Sequence, residues 1–212
     1  MRSICNVYVL VAVCIAMINQ MEVNRVNVYD FDGTIYNGDS SVDIYFFLLK
    51  RYPKLIAYFP KQILGIVKYK LHLSSKEEMK EMYFSFLKGV RTDESFVDDF
   101  WKQNQNKIKE WYLNQKRKDD VIISASPEFL LKPICEILGV EKLIATKVEL
   151  SSGKFLSKNC HGAEKVVRFK EIFSEMEIDA FYSDSRSDTY MAKLATKAFL
   201  VKKNSIMNWE QG

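Results

Sequence analysis

The chain has 212 residues, enough for one globular domain with an inserted subdomain and too few for two large independent domains. Hydrophobic residues make up 48% and charged residues 27%, with only 8 Gly and 4 Pro, which excludes collagen-like, low-complexity and wholly disordered chains. The 31 Lys+Arg against 27 Asp+Glu leave +4, and with no recognition motif beside the basic residues we expect no nucleic-acid partner. Cys5, Cys14, Cys135 and Cys160 contain no CxxC pair, support neither a disulfide framework nor a zinc site, and fit a reducing, cytoplasmic setting.

Val7 to Ile18 is an apolar run of 12 residues behind Arg2, short of the ~20 needed to cross a bilayer. It resembles a secretory signal in its basic start, yet no small-x-small cleavage site follows. We read residues 1–22 as an over-called start with Met21 as the true one, a signal-like or anchoring segment being the alternatives.

Val26–Tyr29 is a β-rich run ending in Asp30-Phe31-Asp32-Gly33-Thr34, so a strand presents two carboxylates at its carboxyl end and Gly33 permits a turn. From Ser40 to about Arg117 apolar residues recur at helical spacing (Ile44, Phe47, Leu48; Met79, Met82, Tyr83, Phe86; Phe96, Phe100), which predicts an all-helical insertion over residues 39–117. Val121–Ile123 predicts a buried strand. Ser126-Pro127-Glu128 then predicts a helix start with an N-cap and Pro at the first position, closed by Gly139. Leu143–Glu149 predicts a strand that Ser151-Ser152-Gly153 turns into another short one. Gly162–Phe173 follows as a helix, Ala180–Tyr182 as a strand, Asp188–Leu194 as a helix and Ala198–Val201 as the last strand. This alternation predicts the α/β class, a Rossmann-like doubly wound parallel sheet built from residues 23–38 and 118–212, with its ligand site at the carboxyl ends of the strands.

The polar residues fall at those ends. Asp30 and Asp32 can divide labour, one attacking phosphorus while the other handles the leaving-group proton. Asp184 and Asp188 are oxygen ligands suited to Mg²⁺, Ser124 offers a hydroxyl and neighbouring backbone N–H groups to phosphate oxygens, and Lys165 supplies a point charge. Each also has a plainer role: Asp30 and Asp32 as turn residues, Ser124 as a helix cap, Asp188 as the first residue of a helix. Asp39 is read as the cap of the helix at Ser40-Ser41, with a substrate contact as the alternative. His161 and Cys160 are too few for a metal site and are read as loop residues.

The ordered motifs DFDGT at Asp30–Thr34, IISAS containing Ser124, Gly162-x-x-Lys165, and SDSRSD at Ser183–Asp188 make the chain similar to the haloacid dehalogenase superfamily, in its phosphoserine-phosphatase-like branch, subfamily IB. The resemblance implies a Rossmann-like core with a helical cap, Asp30 as nucleophile, Asp32 as acid and then base, and Ser124 and Lys165 on the phosphate. It also implies Mg²⁺ held by the Asp30 carboxylate, the Asp32 carbonyl and Asp184, with Asp188 in support. Asp39 lies where that branch holds a substrate amine. Ser183 departs from the pattern, standing where many members have Gly.

Residues 44–73 contain no acid, while Lys50, Arg51, Lys54, Lys61, Lys68 and Lys70 are interleaved with YFFLL, LIAYF and ILGIV, a composition suited to peripheral contact with an anionic membrane. An ordinary cap bundle with snorkelling lysines is the alternative. NCHGAEKV at Asn159–Val166 and YSDSRSD at Tyr182–Asp188 are further similar to phosphatidylglycerophosphatases of type C, which implies a lipid phosphate such as phosphatidylglycerophosphate as substrate beside a small phosphorylated metabolite. The expectation is a Mg²⁺-dependent phosphomonoesterase, the rival being a catalytically silent binding or membrane-peripheral protein on the same fold.

Overall fold

The computed structural model describes residues 25–90 and 95–211. The apolar run at residues 7–18 and Met21 lie outside the described residues. Among the described residues no helix is long and apolar enough to cross a membrane.

Six strands form one sheet: β1 (Arg25–Tyr29), β2 (Val121–Pro127), β3 (Lys142–Thr146), β4 (Glu177–Ser183), β5 (Ala195–Lys202) and β6 (Ser205–Asn208), in the order β3-β2-β1-β4-β5-β6. The first five are parallel, as the alternation predicts. Two expectations are corrected at the far edge. Ala198–Val201 is not the last strand, because β6 pairs with β5, and the sheet is not wholly parallel, because that pairing is antiparallel. Lys203 at φ 56° makes the hairpin turn without the Gly that usually announces one, and so the sequence carries little warning of it.

β1, β2 and β4 are buried along most of their length, with residues of both faces packed, because the sheet is covered on both sides. Val26, Val28, Val121 and Ile123 pack on one side with Phe169 and Phe181; Tyr29 and Ile122 pack on the other with the helices that follow β1. From β1 the chain runs to β2 and β3 on one side, and β4 returns on the other. The strand order therefore reverses at β1, where a ligand crevice opens beyond the carboxyl ends.

Between β1 and β2 the chain is helical: α1 (Ser40–Arg51), a 3₁₀ segment (Pro53–Tyr58), α2 (Phe59–Lys70), α3 (Lys76–Phe84), α4 (Ser95–Asn104) and α5 (Glu110–Leu113). Asp39 caps α1, its carboxylate accepting from the Val42 N–H at 3.0 Å, and Lys50 and Arg51 sit in the last turn, where the helix dipole favours cations. Ser75 and Glu78 form a reciprocal capping box on α3. Bridges from Tyr36 to Asp32 and to Ile108 bring the two ends of the excursion together beside the sheet.

Beyond β2 the helices are α6 (Glu128–Leu138), α7 (Ala163–Ile172) and α8 (Thr189–Ala192). Gly139 ends α6 in the left-handed conformation, as expected. The start of α6 differs: Pro127 ends the strand and stands at the N-cap, and no side chain caps the helix. Asp188 ends a 3₁₀ turn just before α8 instead of opening it, and its side chain makes no cap bond.

Candidate active site

Asp30 follows β1 directly, its N–H bonded to the Tyr182 carbonyl on β4 at 2.9 Å, which fixes the carboxylate at the reversal point of the sheet. Lys165, in the first turn of α7 and only 2% exposed, lies 2.6 Å from Asp30 Oδ1 and 2.6 Å from Asp188 Oδ2. Burial alone would make this lysine easier to deprotonate, but the two carboxylates outweigh it and hold the ammonium charged. Burial raises the Asp30 pKa to about 7, with Lys165 opposing and Asp188 and Asp184 adding to the rise.

Thr34 bridges two of the acids. Its hydroxyl donates to Asp30 Oδ2 at 3.3 Å and accepts the Asp184 N–H at 2.9 Å. The turn at Gly33, φ +71°, brings the chain so close to Asp184 that a Cβ there would clash with Asp184 Oδ2. Lys109, on the return from the helical insertion, holds the same turn by donating to the Gly33 and Lys203 carbonyls.

Asp32 is half-buried. Ser40 N–H donates to its Oδ1 at 2.6 Å, and Ser126 Oγ donates to its Oδ2. Burial, then the nearby Asp39 charge, raises its pKa to about 6 against these hydrogen bonds, so a proton on Asp32 is accessible near neutrality. Ser183, where a Gly was the pattern, spends its hydroxyl on the loop: it donates to Asp188 Oδ2 at 2.9 Å and accepts from the Ser185 N–H at 3.1 Å.

The structure thus gathers Asp30, Asp32, Asp184, Asp188 and Lys165 at one end of the sheet. Ser124 is buried on β2, its hydroxyl accepting from the Ser126 N–H at 3.1 Å, and it adjoins the cluster through Ser126. Asp39 is exposed and occupied by the α1 cap, near Asp32 only in charge. His161 meets Lys76 across 2.8 Å, and Cys160 is buried, its thiol pKa pushed up to about 11 chiefly by burial. Sequence reasoning assigned no site role to Ser126, Thr34 or Lys80. Ser126 had a signal: two residues beyond Ser124 on a strand, it faces the same side. Lys80 had none, since helical residues remote in sequence are placed only by the fold.

Among the described residues, no three His, Cys, Asp or Glu side chains form a ready-made metal cage. An open oxygen site needs fewer: Mg²⁺ commonly takes one or two carboxylates, with water and substrate phosphate completing its shell. Asp30, Asp184, whose charge adds to the rise of the Asp30 pKa, and the buried, unpartnered Asp188 Oδ1 fit that demand.

A sequence model of the haloacid dehalogenase-like hydrolase family matches residues 28–193. Protein CicA of Caulobacter vibrioides (strain NA1000 / CB15N) is 36% identical over 81 residues, so the match spans about a third of that protein, 36%, and 35% of this chain. Among solved structures, a protein of unknown function from Bordetella pertussis Tohama I superposes with a TM-score of 0.70 at 20% identity, covering 83% of this chain and 89% of that one. A phosphoserine phosphohydrolase-like protein from Francisella tularensis subsp. tularensis SCHU S4 gives 0.53 at 18%, covering 82% and 85%. These two likenesses are of fold. The family match runs from within β1 to the turn after α8 and includes every acid of the cluster, and the chain belongs to the haloacid dehalogenase-like hydrolases.

Proposed function

We propose that the chain is a Mg²⁺-dependent phosphomonoester phosphatase working through a phosphorylated Asp30. The observation that carries this reading is the Lys165 ammonium held between Asp30 and Asp188, at the same end of the sheet as a second carboxylate, Asp32, that Ser126 and the Ser40 N–H hold in place and whose pKa burial raises to about 6. An Asp30 oxygen attacks phosphorus; the bond from phosphorus to the leaving oxygen breaks, and that oxygen takes the Asp32 proton. The Asp32 carboxylate then takes a proton from water as the water oxygen attacks the acyl phosphate. The bond to Asp30 breaks, releasing inorganic phosphate. Ser124 and Lys165 are assigned to the phosphate oxygens. The carboxylates of Asp30 and Asp184 and the Asp32 carbonyl would hold Mg²⁺, with Asp188 in support; when bound, the ion offsets phosphate charge and keeps Asp30 ionised. Occupancy of every one of these positions favours an enzyme over a silent binding protein.

Phosphate release from phosphoserine, sugar phosphates and phosphatidylglycerophosphate, with Mg²⁺ and with chelator, tests the reading. Mg²⁺-dependent release from any of them supports it, and no release from the whole panel with active-site acids intact contradicts it.

A second reading, in which the substrate is a lipid phosphate met at a membrane surface, is favoured by α2. This helix is packed inside out: its buried residues are Gln62, which donates to the Tyr83 carbonyl at 3.0 Å, and Gly65, which lies against Met82 on α3. Phe59, Ile63, Leu64 and Val67 are left exposed, and Leu71 and Leu73 beyond the helix are 62% and 72% exposed, among Lys54, Lys61, Lys68 and Lys70. An apolar face edged by cations suits an anionic bilayer. This extends the phosphatase-C-like reading, with a cytoplasmic, peripherally bound protein as the proposed setting. Co-sedimentation of a Met21-start protein with phosphatidylglycerol vesicles tests it, with binding that weakens in high salt expected and no binding at low salt contradicting it.

A further inference from the structure

Lys76 and Lys80 stand one turn apart on α3, and both reach down to the carboxyl end of the sheet. Lys80 Nζ donates to the Ala125 carbonyl at 2.9 Å and to Asn159 Oδ1 at 3.1 Å. Lys76 Nζ lies 2.8 Å from His161 Nε2. Their anchors flank the reacting carboxylates: Ala125 sits between Ser124 and the Ser126 that holds Asp32, and His161 precedes the turn leading to Lys165.

The partners of these two lysines are all neutral. Lys165 has two carboxylates at 2.6 Å, whereas among the described residues neither Lys76 nor Lys80 has one within ion-pair distance, although both are half-buried. A partly desolvated ammonium beside a second one is unfavourable unless an anion completes the arrangement. Burial and then Lys76 push the Lys80 pKa down to about 8, against the pull of Asp39 and Asp32. Lys80 also adjoins the acid that serves the leaving oxygen, so an anion at this pair belongs to the part of the substrate that leaves.

We propose that Lys76 and Lys80, with His161 beside them, bind a second anionic group of the substrate, so that the substrate class is a phosphomonoester whose alcohol portion itself carries a carboxylate or a phosphodiester. This rests on the phosphatase reading and names its substrate. The carboxylate would come from a small metabolite and the phosphodiester from a lipid head group; a half-buried pair of ammonium groups takes either through charge-assisted hydrogen bonds.

Steady-state phosphate release by the full chain from three soluble compounds separates the cases: glycerol 3-phosphate, whose remainder is uncharged; 3-phosphoglycerate, which adds a carboxylate; and glycerophosphoglycerol phosphate, which adds a phosphodiester. At least one anion-bearing compound is expected to exceed glycerol 3-phosphate in kcat/KM by about tenfold, through KM. Preference for 3-phosphoglycerate assigns a metabolite, and preference for the diester a lipid head group. K80Q and K76Q should each shrink that preference severalfold, with K80R retaining most of it. Equal kcat/KM for all three in the wild-type chain overturns the inference without need of a variant. A preference that survives in folded K76Q and K80Q also overturns it. If none of the three is hydrolysed, nor p-nitrophenyl phosphate, the phosphatase reading itself fails and this inference falls with it.

Discussion

Ser126 donates its hydroxyl to Asp32 Oδ2 and leaves α6 without a side-chain cap. A Ser one residue before a Pro-Glu pair is well placed to cap a helix, and forgoing that bond costs about 1 kcal/mol. What is gained is an Asp32 fixed from both sides, by Ser126 and by the Ser40 N–H. Ser126→Ala should therefore lower kcat by about tenfold with a smaller change in KM, since it frees the acid without touching the phosphate contacts. Steady-state kinetics on p-nitrophenyl phosphate check this, and an unchanged kcat would show that Asp32 needs no second anchor.

Gly33→Ala should damage site and fold together. Alanine at φ +71° is strained by about 1–2 kcal/mol, and its Cβ would occupy the space of the Asp184 carboxylate. Urea titration should report a loss of that order or larger, and activity should fall by tenfold or more as Asp184 is displaced.

Lys165→Met leaves Asp30 and Asp188 buried side by side with no cation between them. Removing one member of a buried ionic set costs about 3–5 kcal/mol. Without Lys165, which opposes the rise, the folded-state pKa of Asp30 goes higher still, so the penalty is greatest at high pH, where Asp30 must ionise, and shrinks as acid protonates it. Thermal melts of this variant should lie closer to wild type at pH 5 than at pH 8.

Asp120, remote from the site, makes a pH prediction of its own. It is fully buried beside Arg117, one carboxylate oxygen has no hydrogen-bond partner, and burial raises its pKa to about 6. A carboxylate with a raised folded-state pKa contributes its stability below the unfolded value near 4, and loses it as pH climbs through 6. For this group the loss is roughly 2 kcal/mol between pH 4 and pH 7. Asp120→Asn should therefore gain in Tm relative to wild type at pH 7 while showing little or no gain at pH 4. Parallel melting curves at the two values decide it.

The parts legible in the sequence are those governed by local chemistry. Asp30-Phe31-Asp32-Gly33-Thr34 announces a strand end and a turn because Gly supplies φ > 0 and the preceding residues are β-formers, and Gly139 marks a helix end for the same reason. Asp39 reads as a cap because the bond it makes spans only three residues. Ser126 reads in sequence as a helix cap, but its hydroxyl goes to Asp32, and Asp188, which stands at the N-cap of α8, likewise gives its side chain to Lys165; only the folded sheet brings those partners within reach. β6 escaped notice because four residues after a Lys-Asn turn carry neither a hairpin glycine nor strong alternation. The apolar residues of α2 read in sequence either as a membrane face or as the core face of a cap bundle, and the packing of Gly65 and Gln62 on α3 shows which face is covered.

The central claim is that Asp30 becomes phosphorylated during hydrolysis. Rapid acid quench of the protein turning over p-nitrophenyl phosphate with Mg²⁺, followed by peptide mass spectrometry, tests it most directly. We expect one added phosphoryl group on the peptide containing Asp30 in the wild-type chain, and neither that adduct nor turnover in Asp30→Asn. Sustained turnover in verified, non-deamidated Asp30→Asn, or a phosphoryl group on another residue, would contradict the account.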